Sequence, residues 1–449
     1  MSVTHWQAPY AVRPVVASVR IPGSKSETNR AYLLAALCDA PSTVTGALSS
    51  RDTQLMRTGL QALGTQFQPL HQLGGNAAPT PTGVNTSASA ALIDRVIPAQ
   101  IFTPVPDGID VGLAGTVMRF LPAVAALAPG LTRFYGDTRA AERPLAPLLH
   151  ALASLGVEFE GTQIPFAMHS PTRLRGREVS IDASQSSQFV SALLLAGARY
   201  PEGIALILRG GQVPSRPHID MTIAMLRARG VAVEDTAHTF NVAPGTIAAV
   251  DQVIAPDLTN AAAFLSAGLL TEGRVEVLDW PEQTTQPGNL FLDIITQFGG
   301  QVERTASGVS AHAELPLTAC DLDLSAASEL APVVAALAAF SQGTSRITGI
   351  SHVRGHETDR IAAIVTTLRT VGTPASELPD GFRITGTAGI PTPTQPVVLP
   401  TYADHRIAQL AALLGLRIPG IRLEDVATTA KTMPQFPKLW RTMVTGGDE

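Results

Sequence analysis

Cysteine is scarce in this 449-residue chain, which contains only Cys38 and Cys320. The two residues form no metal-ligand or disulfide pattern, which argues against zinc modules and disulfide-stapled domains and indicates a reducing compartment. Lysine is almost as rare: Lys25, Lys431 and Lys438 are the only ones, and arginine supplies the other positive charges. Two of these three lysines lie inside polar motifs that are discussed below.

Long apolar runs and basic runs are missing as well. The longest apolar segments, such as AFLSAGLL and FVSALLLAGA, are far shorter than the roughly 20 residues of a membrane span. The first residues, MSVTHWQAPYAVRP, contain no apolar core of signal-peptide length. The net charge is -5, and no basic patch is interleaved with aromatics. The sequence therefore predicts a cytoplasmic protein, expected to be a monomer, that binds neither membranes nor nucleic acids.

Length and composition predict an α/β protein with two domains. A chain of 449 residues exceeds one ordinary hydrophobic core, so two domains of roughly 200 residues are expected. The residues are 45% hydrophobic but only 5% aromatic and 15% charged. Such a composition is typical of proteins with many helices built from alanine, leucine and valine.

An apolar helix preceded by small polar residues recurs along the chain at intervals of about 70 to 90 residues. The six predicted helices begin near Asn29, Thr116, Ser187, Asn260, Glu329 and Asp404. They are apolar nearly all round, so they should be buried on all sides. Three such units in each domain, with strands wrapped around the buried helices, are predicted. The alternative is that similar helices merely reflect the composition.

A second, more amphipathic helix follows most of the first kind and ends in glycine. The segments are LMRTGLQALG, PLAPLLHALASLG, MTIAMLRARG, LFLDIITQFGG and IAAIVTTLRTVG. Glycine fits the position just past a helix, where the backbone adopts a positive φ. The region from His71 to Gln100 lacks this pattern and is rich in Gly, Pro, Thr and Asn. It is predicted to be a long surface loop or loose hairpin without chemistry.

The stretch IPGSKSETNRAYLLAAL, residues 21–37, places polar and positive residues directly before an apolar helix. It is not a Walker A loop, because Ser24 rather than glycine precedes Lys25 and the first required glycine is missing. Backbone N–H groups and the helix dipole at such a start still favour an anion. The alternative is an ordinary helix start, in which Ser26 or Thr28 is the cap and Glu27 lies in the first turn.

Polar residues also lie at the starts of the other buried helices and in the segments between them. They are Gly115, Thr116, Arg119, Arg143, Ser186, Ser187, Gln188, Ser215, Arg216, Glu329, His356, Glu357, Arg360, His405, Arg406 and Lys431. Each alone could be a surface charge, a cap or, for Glu357 and Arg360, a helix ion pair. Seven cations stand out in this acidic chain: Lys25, Arg30, Arg119, Arg143, Arg360, Arg406 and Lys431. Together they predict a ligand, or a pair of ligands, of high negative charge.

Eight motifs in chain order resemble those of one enzyme family. They are PGSKSETNRAYLLAAL, GLAGTVMRF, ERPLAPLL, SSQFVSALLLAGA, VPSRPHIDMT, RGHETDRIAA, TYADHRIAQ and AKTMPQFP. The set is similar to that of the 5-enolpyruvylshikimate-3-phosphate synthases, also called 3-phosphoshikimate 1-carboxyvinyltransferases, and in particular to actinobacterial members. The resemblance extends from Ile21 to Phe436.

The resemblance implies an enolpyruvyl transferase fold. Two similar α/β domains would each consist of three βαβαββ units around buried helices, an arrangement known as an inside-out α/β barrel. The chain would cross between the domains twice, so residues 23–255 would form the amino-terminal domain and residues 1–22 with 256–449 the carboxy-terminal domain. The active site would lie in the cleft between them. The family requires no cofactor and no metal.

The resemblance also implies a reaction and its residues. The enolpyruvyl group of phosphoenolpyruvate would pass to the 5-hydroxyl of shikimate 3-phosphate with release of phosphate, a step of the shikimate pathway to chorismate and aromatic amino acids. Shikimate 3-phosphate would contact Lys25, Ser26, Arg30, Ser186, Ser187, Gln188, Ser215, Glu329 and His356. Phosphoenolpyruvate would contact Lys25, Gly115, Arg143, Gln188, Arg360, Arg406 and Lys431. Glu329 would accept the hydroxyl proton; Glu357, with Lys25 and His405 as further candidates, would protonate the methylene carbon.

The chain departs from the common family pattern at four positions. Glu329 stands where many relatives have aspartate, which moves the base by one methylene group. His356 stands where lysine is common, so binding of shikimate 3-phosphate is expected to weaken at high pH. Leu113 and Phe120 replace the more usual asparagine and proline around Gly115. Glyphosate, an inhibitor of the family, is expected at the phosphoenolpyruvate site, and these two replacements leave its effect on this chain open.

Two alternatives to this reaction stay open on the sequence alone. One is the sister enolpyruvyl transferase that acts on UDP-N-acetylglucosamine, which typically has a reactive cysteine on a mobile loop. Cys38 lies in an apolar helix and Cys320 in a strand-like stretch, so neither fits that role. The other is a non-catalytic phosphometabolite-binding protein on the same scaffold, against which Lys25, Glu329 and Glu357 argue.

Overall fold

The computed structural model describes residues 5–70, 92–211, 213–236, 238–387 and 395–446. These residues divide into two compact units. The first unit contains the described residues of Gly23–Gly74 and Ala91–Ile254. The second contains those of Met1–Pro22 and Ala255–Glu449. Each unit has a hydrophobic core of its own.

Helices and short strands alternate along both units. The helices are α1 Lys25–Leu37, α2 Arg51–Ala62, α3 Gly115–Ala125, α4 Ala146–Ala153, α5 Ser187–Gly197, α6 Arg216–Arg227, α7 Leu258–Leu270, α8 Phe291–Gln297, α9 Ala331–Ala339, α10 Arg360–Thr370, α11 His405–Arg417 and α12 Phe436–Thr445. The strands of the amino-terminal half are β1 Trp6–Gln7, β2 Val16–Val19, β3 Ser42–Ala47, β4 Gln66–Pro69, β5 Leu92–Ile97, β6 Ile109–Asp110, β7 Gly130–Tyr135, β8 Glu158–Glu160, β9 Phe166–Ser170, β10 Glu178–Asp182, β11 Ile204–Arg209, β12 Val233–Asp235 and β13 Thr239–Val242. The remaining strands are β14 Gln252–Val253, β15 Arg274–Leu278, β16 Gln301–Arg304, β17 Gly308–His312, β18 Leu317–Thr318, β19 Asp321–Asp323, β20 Ser341–Thr348, β21 Ala375–Leu378, β22 Gly381–Gly386, β23 Val397–Leu399 and β24 Ile421–Leu423.

Three four-stranded mixed sheets belong to the first unit. Their strand orders are β14-β3-β5-β4, β6-β7-β9-β8 and β10-β11-β13-β12. In each sheet the first pair is parallel and the other pairs are antiparallel. The chain runs β10-α5-β11-α6-β12-β13 in the last of them, which is one βαβαββ repeat. A parallel pair needs a crossover connection, and the buried helix supplies it.

The second unit repeats this plan with three changes. Its strand orders are β16-β17-β15-β2, β18-β20-β22-β21 and β1-β24-β23, and β19 also pairs with β20. The first sheet takes β2 from near the start of the chain, paired in parallel with β15. The last sheet has three strands among the described residues, with β1 antiparallel to β24. The predicted βαβαββ repeats around buried helices are confirmed.

Six helices are buried on nearly every side, as the apolar patterns predict. They are α1, α3, α5, α7, α9 and α11. Every residue of α7 and α9 is buried. The second helix type is amphipathic: α2, for example, buries Met56 and Leu60 on one face. A glycine with positive φ follows within a few residues of the end of each such helix, at Gly64, Gly156, Gly230, Gly299 and Gly372.

One local prediction holds only in part and another is wrong. The region from His71 to Gln100, predicted to be a long surface loop or loose hairpin, contains β5 Leu92–Ile97, which pairs antiparallel with β4 and lies in the interior of its sheet between β3 and β4; residues 71–91 lie outside the described residues. The cap of α1 is Ser24, whose hydroxyl accepts a hydrogen bond from the Glu27 N–H, and both Ser26 and Thr28 lie inside the helix. Among the residues that the structure describes, no helix is long and apolar enough to cross a membrane.

Candidate functional site

Lys25 is the first residue of α1 and is held by a carboxylate. Its Nζ lies 3.1 Å from Oδ2 of Asp52, which is buried near the start of α2. A positive charge at a helix amino terminus opposes the helix dipole, so the pairing with Asp52 offsets an unfavourable placement. The Lys25 side chain is 17% exposed. The ammonium group is therefore fixed in position and still accessible.

Arg30 is a buried cation with neutral hydrogen-bond partners. Its Nε donates to Oγ1 of Thr222 at 2.8 Å, and one Nη donates to Oγ of Ser191 at 3.2 Å. The guanidinium also lies over the ring of Phe120, 5.2 Å from the centroid. Burial lowers the pKa of Arg30 to about 9, against the opposing effect of Glu27. Arg30 is therefore charged at neutral pH, and the fold supplies no buried carboxylate among these contacts.

Gly115, the first residue of α3, lies directly against two guanidinium groups. A Cβ added there would lie 3.1 Å from an Nη of Arg143 and 3.2 Å from an Nη of Arg119. No side chain caps this helix, since its N-cap residue is Ala114. The backbone N–H groups of the first turn and both arginines consequently offer donors within one small region, which suits an anion.

Two side-chain hydrogen bonds join the starts of three buried helices. Asn29 of α1 donates to Oγ1 of Thr116 in α3 at 2.6 Å. Arg119 of α3 donates to Oε1 of Gln188 in α5 at 2.8 Å. We refer to Lys25, Arg30, Gly115, Arg119, Arg143 and Gln188 as the amino-terminal cluster.

The predicted serines lie at the starts of α5 and α6. Ser186 is the N-cap of α5 and accepts a hydrogen bond from the Gln188 N–H, and Ser187 is the buried first helical residue. Ser215 is the N-cap of α6, with a φ of 53°. The start of α6 meets Arg30 through the carbonyl of His218. The structure thus brings the start of α6 to Arg30, which lies in α1.

In the second unit, Arg360 is fully buried and contacts three carboxylates. Its Nε lies 2.7 Å from Oδ2 of Asp404, while its two Nη atoms lie 2.7 Å from Oε2 of Glu329 and 2.9 Å from Oε2 of Glu357. Burial opposes the charge of Arg360, but Asp404, Glu329 and Glu357 raise its pKa well above the ordinary value. Glu357 precedes α10, which begins at Arg360, so the predicted ion pair exists but is not an internal helix pair.

Glu329 lies in a short 3-10 helix, Ser328–Leu330, immediately before α9. Burial by itself raises the pKa of this carboxyl, but Arg360, His356 and Arg406 outweigh burial and hold the pKa well below its usual range. Nδ1 of His356 lies 3.6 Å from Oε1 of Glu329. The Glu329 side chain is 28% exposed. Glu329 is therefore an ionised, accessible carboxylate that lies next to several cationic side chains.

Lys431 pairs with the second carboxylate. Its Nζ donates to Oε1 of Glu357, whose Oε2 already receives Arg360. Lys431 ends the 3-10 helix Val426–Lys431 that follows β24. We refer to Glu329, Glu357, Arg360, Asp404, Arg406 and Lys431 as the carboxy-terminal cluster.

His405 and Arg406 begin α11 and are buried. Arg406 lies with its Nε 3.7 Å from Oε2 of Glu329, and it donates to the amide oxygen of Asn260 at 2.9 Å. Nδ1 of His405 lies 3.8 Å from Oδ1 of Asp404. His405 therefore lies next to Asp404, the buried carboxylate that binds Arg360.

Four residues of these surroundings were missed by reasoning from the sequence. Asp52 holds Lys25, Asp404 holds Arg360, and Asn260 holds Arg406. His352 hydrogen-bonds Oγ of Ser328 at 2.9 Å, next to Glu329. Asp404 alone carried a local signal, since an aspartate directly before a helix is a common N-cap, and its side chain does accept from the Arg406 N–H.

Lowering the pH should destabilise the fold through Glu329. Because its pKa is depressed in the folded chain, the stabilisation is fully present above the unfolded value of about 4.3 and is lost as the pH falls through the folded value. We expect the free energy of unfolding in urea to fall more steeply below about pH 4.3 in the wild type than in Glu329→Gln. Glu303→Gln, which changes an exposed glutamate of the same unit, is the control. Parallel pH profiles for wild type and Glu329→Gln would contradict the depressed pKa.

Comparison with known proteins gives a consistent result. The family model of EPSP synthase (3-phosphoshikimate 1-carboxyvinyltransferase) matches residues 9–440. Two structures of EPSP synthase from Acinetobacter baumannii are similar, with TM-scores of 0.74 and 0.73, 20% identity, and coverage of 98% of this chain and 97% of theirs. The enolpyruvyl transferase NikO from Streptomyces tendae is similar with a TM-score of 0.72 and 18% identity over 97% of this chain and 96% of its own. The predicted fold is therefore confirmed.

Proposed function

Because the chain belongs to the EPSP synthase family, we propose that it transfers the enolpyruvyl group of phosphoenolpyruvate to the 5-hydroxyl of shikimate 3-phosphate and releases phosphate. Both clusters serve this one reaction. Lys25, Arg30, Ser186, Ser187 and Ser215, with Ser26, Gln188 and His356, bind shikimate 3-phosphate. Phosphoenolpyruvate is bound by Gly115, Arg143, Arg360, Arg406 and Lys431, together with Lys25 and Gln188. The reaction belongs to the biosynthesis of aromatic amino acids.

The observation that carries the proposal is the pairing of two carboxylates through one buried arginine. The enol ether of phosphoenolpyruvate becomes electrophilic at C2 only as C3 gains a proton, so the reaction needs both a base and an acid. Glu329 supplies the base and accepts the proton of the attacking hydroxyl. Glu357, whose two oxygens receive Arg360 and Lys431, is part of the acid. A proton on Lys431 or Glu357 can pass along this hydrogen bond toward the methylene carbon.

Ligand binding resolves an apparent conflict at Glu329. A carboxylate whose pKa is held well below the usual range is a poor proton acceptor. The carboxylate and phosphate of phosphoenolpyruvate compete for Arg360 and Arg406, which match such groups bidentately. Once these cations face the ligand, their effect on Glu329 is partly neutralised and its pKa rises. The base is therefore activated only when its substrate is present.

The amino-terminal cluster suits the other charges of the substrates. Arg30 and the serines at the starts of α5 and α6 offer the mixture of cation, hydroxyl and backbone N–H that phosphate esters accept. The charge that develops on the tetrahedral adduct of the two substrates would be stabilised by cations already fixed in place. Lys25 and Arg143 are positioned for this by Asp52 and by the carbonyl of Leu113.

The raised pKa values of the two thiols argue against the sister activity on UDP-N-acetylglucosamine. Burial raises the pKa of Cys38, and burial followed by the charge of Asp321 raises that of Cys320 to about 11. Both thiols are therefore protonated and weakly nucleophilic at neutral pH. Cys38 is the C-cap of α1, and Cys320 lies between two strands.

Phosphate release from phosphoenolpyruvate distinguishes the candidate functions. We expect release that depends on shikimate 3-phosphate and is absent with UDP-N-acetylglucosamine or without an acceptor. Release with the UDP-sugar would replace the proposal by the sister activity. Binding of both shikimate-pathway ligands without any release would show a non-catalytic binding protein.

Gly115→Ala should raise the KM for phosphoenolpyruvate by roughly tenfold, because the new Cβ would displace Arg143 and Arg119 from their contact with the helix start. Inhibition by glyphosate should weaken at the same time, while the KM for shikimate 3-phosphate stays near that of the wild type. Gly245→Ala is the matched control, since nothing lies within 4 Å of a Cβ at that position. Unchanged kinetics in Gly115→Ala would remove Gly115 from the binding site.

A further inference from the structure

A single buried amide in α7 contacts α11 and the residue that follows Lys431. Asn260 lies in the first turn of α7 and is fully buried. Its Oδ1 accepts from an Nη of Arg406 at 2.9 Å, from Nε2 of Gln409 at 2.8 Å and from Oγ1 of Thr432 at 3.2 Å. Its Nδ2 donates to the carbonyl oxygen of Thr432 at 3.3 Å.

The surrounding donors fix which end of the amide is the oxygen. Arginine carries only donors, and the Nε2 of Gln409 is a donor because its Oε1 already accepts from Arg406 at 3.2 Å. Turning the Asn260 amide over would place its NH2 group against these two donors. A rotated side chain would also lose the bond to the Thr432 carbonyl. Asn260 therefore has one orientation compatible with its neighbours.

We propose that Asn260 is a positioning residue for phosphoenolpyruvate, which rests on the function proposed above. The amide ties Arg406, at the start of α11, to Thr432, the residue that follows Lys431. Two cations assigned to the same ligand thus share one rigid reference point in α7. Gln409 adds a second bond from α11 to Asn260, and its Oε1 accepts a further hydrogen bond from Arg406. The network is buried, so water does not replace its hydrogen bonds when they are removed.

Asn260→Ala removes the shared acceptor without touching either cation. We expect the KM for phosphoenolpyruvate to rise roughly tenfold or more, because a charged donor loses its buried partner and its direction. The KM for shikimate 3-phosphate should change much less. The matched control is Gln286→Ala: Gln286 is also a buried amide that binds the start of α7, through the Leu258 N–H and the Pro256 carbonyl, and both of these contacts are with backbone groups.

A chemical readout separates positioning from catalysis. The chain has only three lysines, so amine labelling followed by mass spectrometry reports Lys431 against Lys25 and Lys438 as internal references. In Asn260→Ala, Lys431 should label several times faster than in the wild type, while the two reference lysines label at the same rate. Gln286→Ala should leave all three rates unchanged. Should Asn260→Ala fail to fold, Asn260→Ser is tested in the same way, since its hydroxyl is too short to reach Arg406.

The labelling of Lys431 tests the positioning role of Asn260, and enolpyruvyl transfer tests the proposed reaction, so one can fail without the other. Faster labelling of Lys431 in a chain whose wild type transfers no enolpyruvyl group would support positioning and reject the proposed reaction. A folded Asn260 variant with wild-type Lys431 labelling and a wild-type KM for phosphoenolpyruvate would overturn the proposal. An equal rise in both KM values with unchanged labelling would also overturn it, because a general loss of order would explain that result.

Discussion

Glu329→Gln is expected to lower kcat by roughly two to four orders of magnitude, the usual contribution of a general base. Glutamine keeps the size of the side chain and can still accept a hydrogen bond from Arg360, which lies 2.7 Å from Oε2 of Glu329. It cannot accept the proton of the attacking hydroxyl. The measurement is steady-state phosphate release with both substrates saturating, alongside calorimetric binding of each substrate to the variant.

Glu329→Asp is the matched control for this variant. Aspartate is one methylene group shorter and keeps the carboxylate chemistry. We expect its kcat to stay within roughly tenfold of the wild type, far above that of Glu329→Gln. A glutamine variant as active as the aspartate variant would show that Glu329 does not act as the base.

Arg360→Met should be the most destabilising single change in the carboxy-terminal cluster. It leaves Asp404 buried and without its guanidinium, together with Glu357 and Glu329. Removing one partner of a buried charge network costs about 3–5 kcal/mol, because the remaining charge stays desolvated. The free energy of unfolding from urea titration measures this effect at neutral pH. Because Arg360 helps to hold the pKa of Glu329 below its usual range, the deficit should shrink as the pH falls and Glu329 is protonated.

Arg354→Met provides a comparison within the same unit. Arg354 contacts Asp359 and Glu377, but all three side chains are about one-third exposed or more. Exposed pairs contribute about 0–1 kcal/mol, so this variant should be nearly as stable as the wild type. Similar losses in the two variants would show that burial of the Arg360 network has no special energetic weight.

The buried helices could be predicted because each carries its own signal. An all-round apolar sequence such as that of α7 has no alternative to burial on every side. The ends of the amphipathic helices carry an equally local signal, the glycine that follows each of them, since glycine adopts a positive φ at little cost. These features depend on neighbours in sequence, and the structure agrees with them.

Strand β5 was not distinguished from the predicted loop or loose hairpin because its sequence signal is weak. LIDRVI contains a charged pair at Asp94 and Arg95, and it follows a segment rich in glycine and proline. In the fold Asp94 is fully buried, with Tyr32 donating to its Oδ2 and Arg57 3.3 Å from its Oδ1. Those partners lie far away in sequence, so local patterns could not reveal that this aspartate belongs in the core.

In the candidate site, too, residues with a signal in the local sequence could be predicted, and residues that act through distant partners could not. Family motifs implied roles for Lys25, Arg360 and Arg406, but none for the residues that hold them. Asp52, Asp404 and Asn260 act through side chains that meet their partners only in the folded chain. Charge counting also misled in part: Lys25, Arg360 and Lys431 are each paired with a carboxylate of the protein itself. Under the proposed function, substrate anions would compete with these internal partners, which a list of cations does not reveal.

The most direct test follows the substrate carbons in deuterated water. Phosphoenolpyruvate and shikimate 3-phosphate are incubated with the protein, and the products are read by proton and phosphorus NMR. Acid–base addition and elimination predict equimolar inorganic phosphate and a new enol ether whose methylene group carries deuterium. Phosphoenolpyruvate left intact, or phosphate released with no deuterium in the methylene group, would contradict the account.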